Sequence, residues 1–235
     1  MIILDPKTAD SFDDVWIHEN FLDSKFFTQI ENFLILATES QADNFEGREL
    51  SYGNEKFKLI GTFHYRPYIK LWDLSQHKDY WNQTNDSILD WANKNYGCVI
   101  HPVARKLISK IQQVEPFAGQ DFVAVRGILN LLKPGVPLDA HQDGGGFIYQ
   151  DDSVNVYSAT FYVQTEGEGG EYYDLRGFIH KPNPNSLLVN IGNRTLHGVR
   201  ASDKLRLGIT IRFIRAQDLL LPGSVDQLLF KPTTL

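Results

Sequence analysis

Apolar residues recur at helical spacing at Phe26, Phe27, Ile30, Phe33 and Leu34, just after Asp23 and Ser24, two good N-cap residues. This spacing predicts a core-facing helix. A second helix is expected after Asp86, with Ile88, Leu89, Ala92 and Tyr96 and a stop at Gly97. A third is expected from Pro102 through Val103, Leu107, Ile111 and Val114 until Pro116. From Val123 the pattern shifts to short β-type segments separated by Gly, Pro, Asn and Asp. Strands are expected near 123–132, 138–143, 157–164, 171–174, 177–180, 186–191, 195–199 and 205–214. A helical first half followed by many short strands predicts an α+β, mainly β fold, a sandwich or jelly roll braced by N-terminal helices.

The 235 residues suit one domain, read as a helical support region (1–120), a β core (121–215) and a C-terminal extension (216–235), of which Leu219 to Leu235 is apolar enough to pack as a further helix or a dimer contact. The connection from Gly144 through Val156 follows a Gly-Gly-Gly run and reads as a lid. With 42% hydrophobic and 22% charged residues the chain has the composition of a soluble globular protein, and no apolar run approaches the roughly 20 residues needed to cross a bilayer. Met1 to Pro6 lack a basic region, so a cytoplasmic setting is expected. Cys98 is the only cysteine, which excludes an intramolecular disulfide and a cysteine-based zinc cluster. Any metal must use His and carboxylate ligands. The formal charge of −6 argues against non-specific binding to nucleic-acid backbones.

Within His141-Gln142-Asp143, positions i and i+2 of a strand face the same side, so an imidazole and a carboxylate converge while Gln142 points away. His197, in Thr195-Leu196-His197-Gly198-Val199, supplies a third ligand on a later strand. Two His and one carboxylate form a facial triad that leaves positions open for a bidentate cosubstrate and oxygen, as in non-haem iron(II) oxygenases. Zinc tolerates the same ligands, so ligand type alone does not name the metal. Alternation in 205–213 puts Arg206, Gly208, Thr210 and Arg212 on one face. The Arg206 fork suits a carboxylate, Gly208 leaves room and Thr210 offers a hydroxyl; the competing reading is a solvated strand face. Ser158, Thr160, Tyr162 and Gln164 likewise share a face, and Tyr162 can donate its phenol to the same carboxylate.

Lys133-Pro134-Gly135, His141-Gln142-Asp143, Phe161-Tyr162, Gly169-Gly170-Glu171, His197-Gly198-Val199 and Arg206 together resemble the prolyl 4-hydroxylase-like group of iron(II)/2-oxoglutarate dioxygenases, over about Val123 to Ile214. The nine-residue step from His197 to Arg206 is similar to that group's spacing between its distal metal histidine and its 2-oxoglutarate arginine, which favours Arg206 over Arg212 as anchor. The resemblance implies a double-stranded β-helix with His141, Asp143 and His197 on iron(II). It also implies 2-oxoglutarate held by Arg206 and Tyr162, O2 as second cosubstrate, and hydroxylation of a peptidyl proline or a small molecule with formation of succinate and CO2. Two positions depart from the group: Lys133 stands where many members have tyrosine, and Arg212 where an aromatic is common. Asn130 to Gly135 and the Arg206–Arg212 pair with Thr210 between are also similar to the alkylation-repair dioxygenases that demethylate nucleic-acid bases. A non-catalytic jelly-roll binding protein is the alternative from another class.

Overall fold

The Phe26–Leu34 stripe forms α1, Ser24–Glu39, in a computed structural model that describes residues 14–39, 49–52, 55–58, 68–73, 102–143 and 154–218. Asp23 starts this helix: its Oδ1 accepts a 2.9 Å hydrogen bond from the Phe26 N–H, pairing one of the donors that a first turn leaves open. Phe26, Ile30 and Leu34, one turn apart, are buried. Helix α2, Pro102–Ile111, opens on a proline that needs no intrahelical donor and buries Val103, Leu107, Ile108 and Ile111. The helix expected after Asp86, the connection 144–153 and the segment 219–235 lie outside the described residues.

The strands are β1 Val15–His18, β2 Glu49–Tyr52, β3 Glu55–Lys58, β4 Tyr68–Asp73, β5 Phe122–Leu132, β6 Leu138–His141, β7 Tyr157–Gln164, β8 Tyr172–Asp174, β9 Ile179–His180, β10 Ser186–Ile191, β11 His197–Val199 and β12 Arg206–Arg215. They build a six-stranded sheet in the order β1-β10-β7-β12-β5-β4, a four-stranded sheet in the order β6-β11-β8-β9, and the β2-β3 ladder. Every pairing is antiparallel. The jelly roll predicted from the sequence is present. The region 1–120 needs correction, because it is not a purely helical support: β1 and β4 form the two edges of the large sheet. Among the described residues no helix is long and apolar enough to cross a membrane.

Alternation along β12 is as predicted, and it assigns the two faces of the large sheet. Leu207, Ile209, Ile211 and Phe213 join Phe161, Ala159 and Val189 in the main core with the apolar stripes of α1 and α2. The opposite face carries Arg206, Gly208, Thr210 and Arg212, with Tyr162 beside Gly208, Thr160 beside Thr210 and Ser158 beside Arg212. A solvated face is excluded, since Arg206, Thr210 and Arg212 are only 4%, 7% and 9% exposed. The polar side of the sheet is therefore an interior surface, turned toward the four-stranded sheet.

Candidate metal centre and anion anchor

Cross-strand pairing places the two histidines. His141 on β6 is the register partner of His197 on β11, and their ring centroids are 4.7 Å apart. Asp143 lies just past the end of β6, where its N–H donates to the Gly192 carbonyl at 2.7 Å instead of to a ladder partner. The ligand atoms of His141, Asp143 and His197 all fall within 4.8 Å of one another. His141 Nε2 is 3.5 Å from Asp143 Oδ1, and His197 Nε2 is 3.6 Å from Asp143 Oδ2. Donor atoms about 2.1 Å from a shared cation can lie at most about 4.2 Å apart, and both distances to Asp143 are within that reach, so the cluster fits a metal once its donors draw in around it.

Backbone carbonyls orient both rings. Nδ1 of His141 lies 2.8 Å from the Asp139 carbonyl, and Nδ1 of His197 lies 2.8 Å from the Thr195 carbonyl. A carbonyl only accepts, so each Nδ1 carries the hydrogen and each Nε2 keeps a lone pair for a metal. Burial lowers the His197 pKa below the usual imidazole range, with Asp143 pulling the other way. Asp143 accepts from the Ser158 hydroxyl at 2.7 Å and from Nη2 of Arg212. Burial alone would push this carboxyl up; Arg212, His141, His197 and Ser158 outweigh it and hold the group well below the ordinary carboxylate range.

Arg206 is different. Its Nε and Nη1 are buried without any hydrogen-bond partner. The guanidinium carbon sits 5.5 Å from the centroid of the Tyr162 ring. Burial lowers the Arg206 pKa, opposed by Tyr162 and Glu171, and burial raises that of Tyr162, opposed by Arg206. A guanidinium stays charged in proteins, so this is a buried cation with unused donors, which is the environment a carboxylate ligand completes. Gly170 makes the space: a Cβ there would lie 2.8 Å from Arg206 Cδ, and its φ of +74° also favours glycine.

Thr210 stands between the anchor and the triad. Its hydroxyl is engaged, accepting from Asn130 Nδ2 at 2.5 Å and sharing a 2.8 Å bond with Thr160 Oγ1. Lys133 is exposed, whereas Arg126 is the register partner of Arg212 on the inner face. Sequence reasoning missed the Arg212–Asp143 pair, the Ser158 bond and Tyr172. The Tyr172 ring stacks on that of His197 at a 5.5 Å centroid distance and 23°, and its hydroxyl is buried without a partner. Burial pushes this phenol up, reinforced by Tyr162, Asp174 and Asp143. Its place two residues beyond Gly170 was the available signal.

The fold is a jelly roll of antiparallel strands, and solved structures share it. The chain is similar to an oxidoreductase of the 2OG-Fe(II) oxygenase family from Burkholderia pseudomallei, with TM-score 0.50 and 11% identity over 86% of this chain and 85% of that one. It is also similar to the non-haem alpha-ketoglutarate-dependent epimerase SnoN of nogalamycin biosynthesis, with TM-score 0.50 and 12% identity over 86% of this chain and 78% of that one. A Pseudomonas putida prolyl-4-hydroxylase aligns with TM-score 0.47 and 18% identity over 86% of this chain and 92% of that one. No protein-family model and no curated protein matches the sequence.

Proposed function

We propose that this protein is an iron(II)- and 2-oxoglutarate-dependent dioxygenase that hydroxylates a C–H bond. The observation behind this reading is the buried Arg206 guanidinium, whose Nε and Nη1 lack hydrogen-bond partners, sharing an interior face with Arg212, whose guanidinium touches Asp143 of the His141–Asp143–His197 cluster. A metal site alone fits a zinc hydrolase; a metal site with a carboxylate anchor beside it fits an oxoacid cosubstrate.

His141 Nε2, Asp143 and His197 Nε2 would hold iron(II) on one face and leave the remaining positions to the cosubstrates. Arg206 and Tyr162 would fix the distal carboxylate of 2-oxoglutarate. With O2, iron and the oxoacid supply the oxidant that converts C–H to C–OH, releasing succinate and CO2. The chain itself orients and shields: Asp139 and Thr195 set the imidazole tautomers, Arg212 and Ser158 fix the carboxylate, and the burial of Asp143, His197 and Arg206 limits contact with solvent. The proposed reaction is prolyl hydroxylase-like, on a peptidyl proline or a small molecule.

Anaerobic loading with iron(II) and 2-oxoglutarate tests the class. A weak visible metal-to-oxoacid charge-transfer band is expected, and a folded, iron-loaded sample without it sinks the reading. Succinate release in the presence of proline peptides, free amino acids, small metabolites or methylated oligonucleotides then identifies the substrate class, and a response to oligonucleotides alone replaces the hydroxylase reading with demethylation.

A further inference from the structure

Tyr172 is 3% exposed, yet its hydroxyl has no hydrogen-bond partner. A buried phenol ordinarily finds one, because leaving the group unpaired is unfavourable. The ring is well fixed: it stacks on His197 and packs with Tyr162 and Leu188. Its position along the chain is also defined. Gly170 lies against the Arg206 side chain, Asp174 is the register partner of His197, and Tyr172, opposite Val199, is midway between them. In chain order Tyr172 thus comes between the residue that lies against the guanidinium and the register partner of a metal-cluster histidine, and its ring touches both His197 and Tyr162, whose own ring lies 5.5 Å from the Arg206 guanidinium carbon. A dicarboxylic oxoacid held at both ends passes through this same interval.

We propose that Tyr172 is a positioning residue of the site, donating its phenol hydrogen to a carboxylate oxygen of the bound oxoacid alongside Arg206 and Tyr162. This rests on Arg206 being the oxoacid anchor. The bound anion supplies the acceptor that the free protein lacks, which accounts for a hydroxyl otherwise left without a partner. The same ring holds the face of His197, so the residue couples the orientation of one metal ligand to that of the cosubstrate.

Tyr172→Phe retains the ring and removes only the hydroxyl. Affinity for 2-oxoglutarate, titrated anaerobically in the iron(II)-loaded protein by the charge-transfer band, should weaken about tenfold or more, as expected for losing a hydrogen bond to a charged group. Iron(II) affinity without oxoacid should be unchanged. The Tm of the metal-free variant should be equal or higher, because a buried unpaired group has been removed; a residue serving only packing would not combine these results. Equal oxoacid affinity in the two proteins overturns the proposal while leaving Arg206 in place. A parallel loss of iron(II) affinity also overturns it, since Tyr172 would then act through His197. Absence of oxoacid binding in the unsubstituted, iron-loaded protein overturns both this assignment and the proposed function.

Discussion

Arg206 and Arg212 share the inner face of β12, but one guanidinium has unpaired buried N–H groups while the other touches the carboxylate of a candidate metal ligand. The two should therefore fail differently. Arg206→Ala removes charge-assisted bonds worth about 1.5–3 kcal/mol each, so 2-oxoglutarate affinity should drop on the order of a hundredfold. Iron(II) affinity, measured separately without oxoacid, should stay within about threefold. The opposite ranking would mean that the anchor is misassigned. Arg212→Leu leaves Asp143 buried with the Ser158 hydroxyl but without its guanidinium. Breaking a buried pair in this way costs about 3–5 kcal/mol, measurable by urea unfolding of the metal-free protein. Divalent metal should then raise the Tm of this variant more than that of the parent, because the metal replaces the missing positive charge at the carboxylate. An equal shift in both proteins would count against Asp143 as a ligand.

Close backbone approach links elements to these residues. A Cβ at Gly192 would lie 2.5 Å from Ser158 Oγ and 2.6 Å from Asp143 Cβ, whereas one at Gly170 would press on Arg206. Each alanine variant should lose about 1–3 kcal/mol of stability. Gly192→Ala should weaken metal binding, and Gly170→Ala should weaken oxoacid binding with metal affinity retained. Calorimetric titration of each ligand separates the two effects, and identical binding profiles would contradict this division of the site. Much of this layout was legible in the sequence, because alternation along β7 and β12 fixed which side chains share a face and the β-type runs located the strands. Alternation says nothing about what covers a face, so the buried polar interior was legible only through the family resemblance, which implies that these faces point inward. The bond between Arg212 and Asp143, 69 residues apart, arises from three-dimensional closure and has no local signature. β1 and β4 were missed because four- and six-residue strands gain their stability from partners remote in sequence, Asn190 for Val15 and Asn130 for Tyr68. The strand expected at 177–180 begins only at Ile179. Asp174 Oδ1 accepts from the N–H groups of Arg176 and Phe178, holding a turn whose Gly177 has a φ of +102°.

At the scale of the whole molecule, burying an imidazole and a carboxylate inside the fold ties folding to pH and to metal. The His197 pKa is lowered by burial, so below about pH 6.5 the unfolded chain takes up a proton at this site that the folded chain refuses. Stability from this group is present above that pH and is lost as pH falls toward the lowered folded value. Asp143 acts with the same sign at lower pH: its folded pKa lies far below the unfolded value of about 3.9, so its contribution is present above that value and fades on further acidification. The Tm of the metal-free protein should therefore decline as pH is taken from about 7 toward 4. Metal binding requires neutral imidazoles, and the lowered His197 pKa keeps that ring available somewhat below the usual range. Excess iron(II), or manganese(II) as an air-stable substitute, should raise the Tm at about pH 7 and still do so at about pH 6, with the gain shrinking at lower pH as protons compete. At a free metal concentration a hundred times its Kd the added stability is about 2.7 kcal/mol, which thermal melts resolve readily. The oxoacid should add a further increment only when metal is present, if one dicarboxylate spans both the metal and Arg206. A metal-independent oxoacid shift of the same size would place the anion at Arg206 alone and separate the anchor from the metal centre.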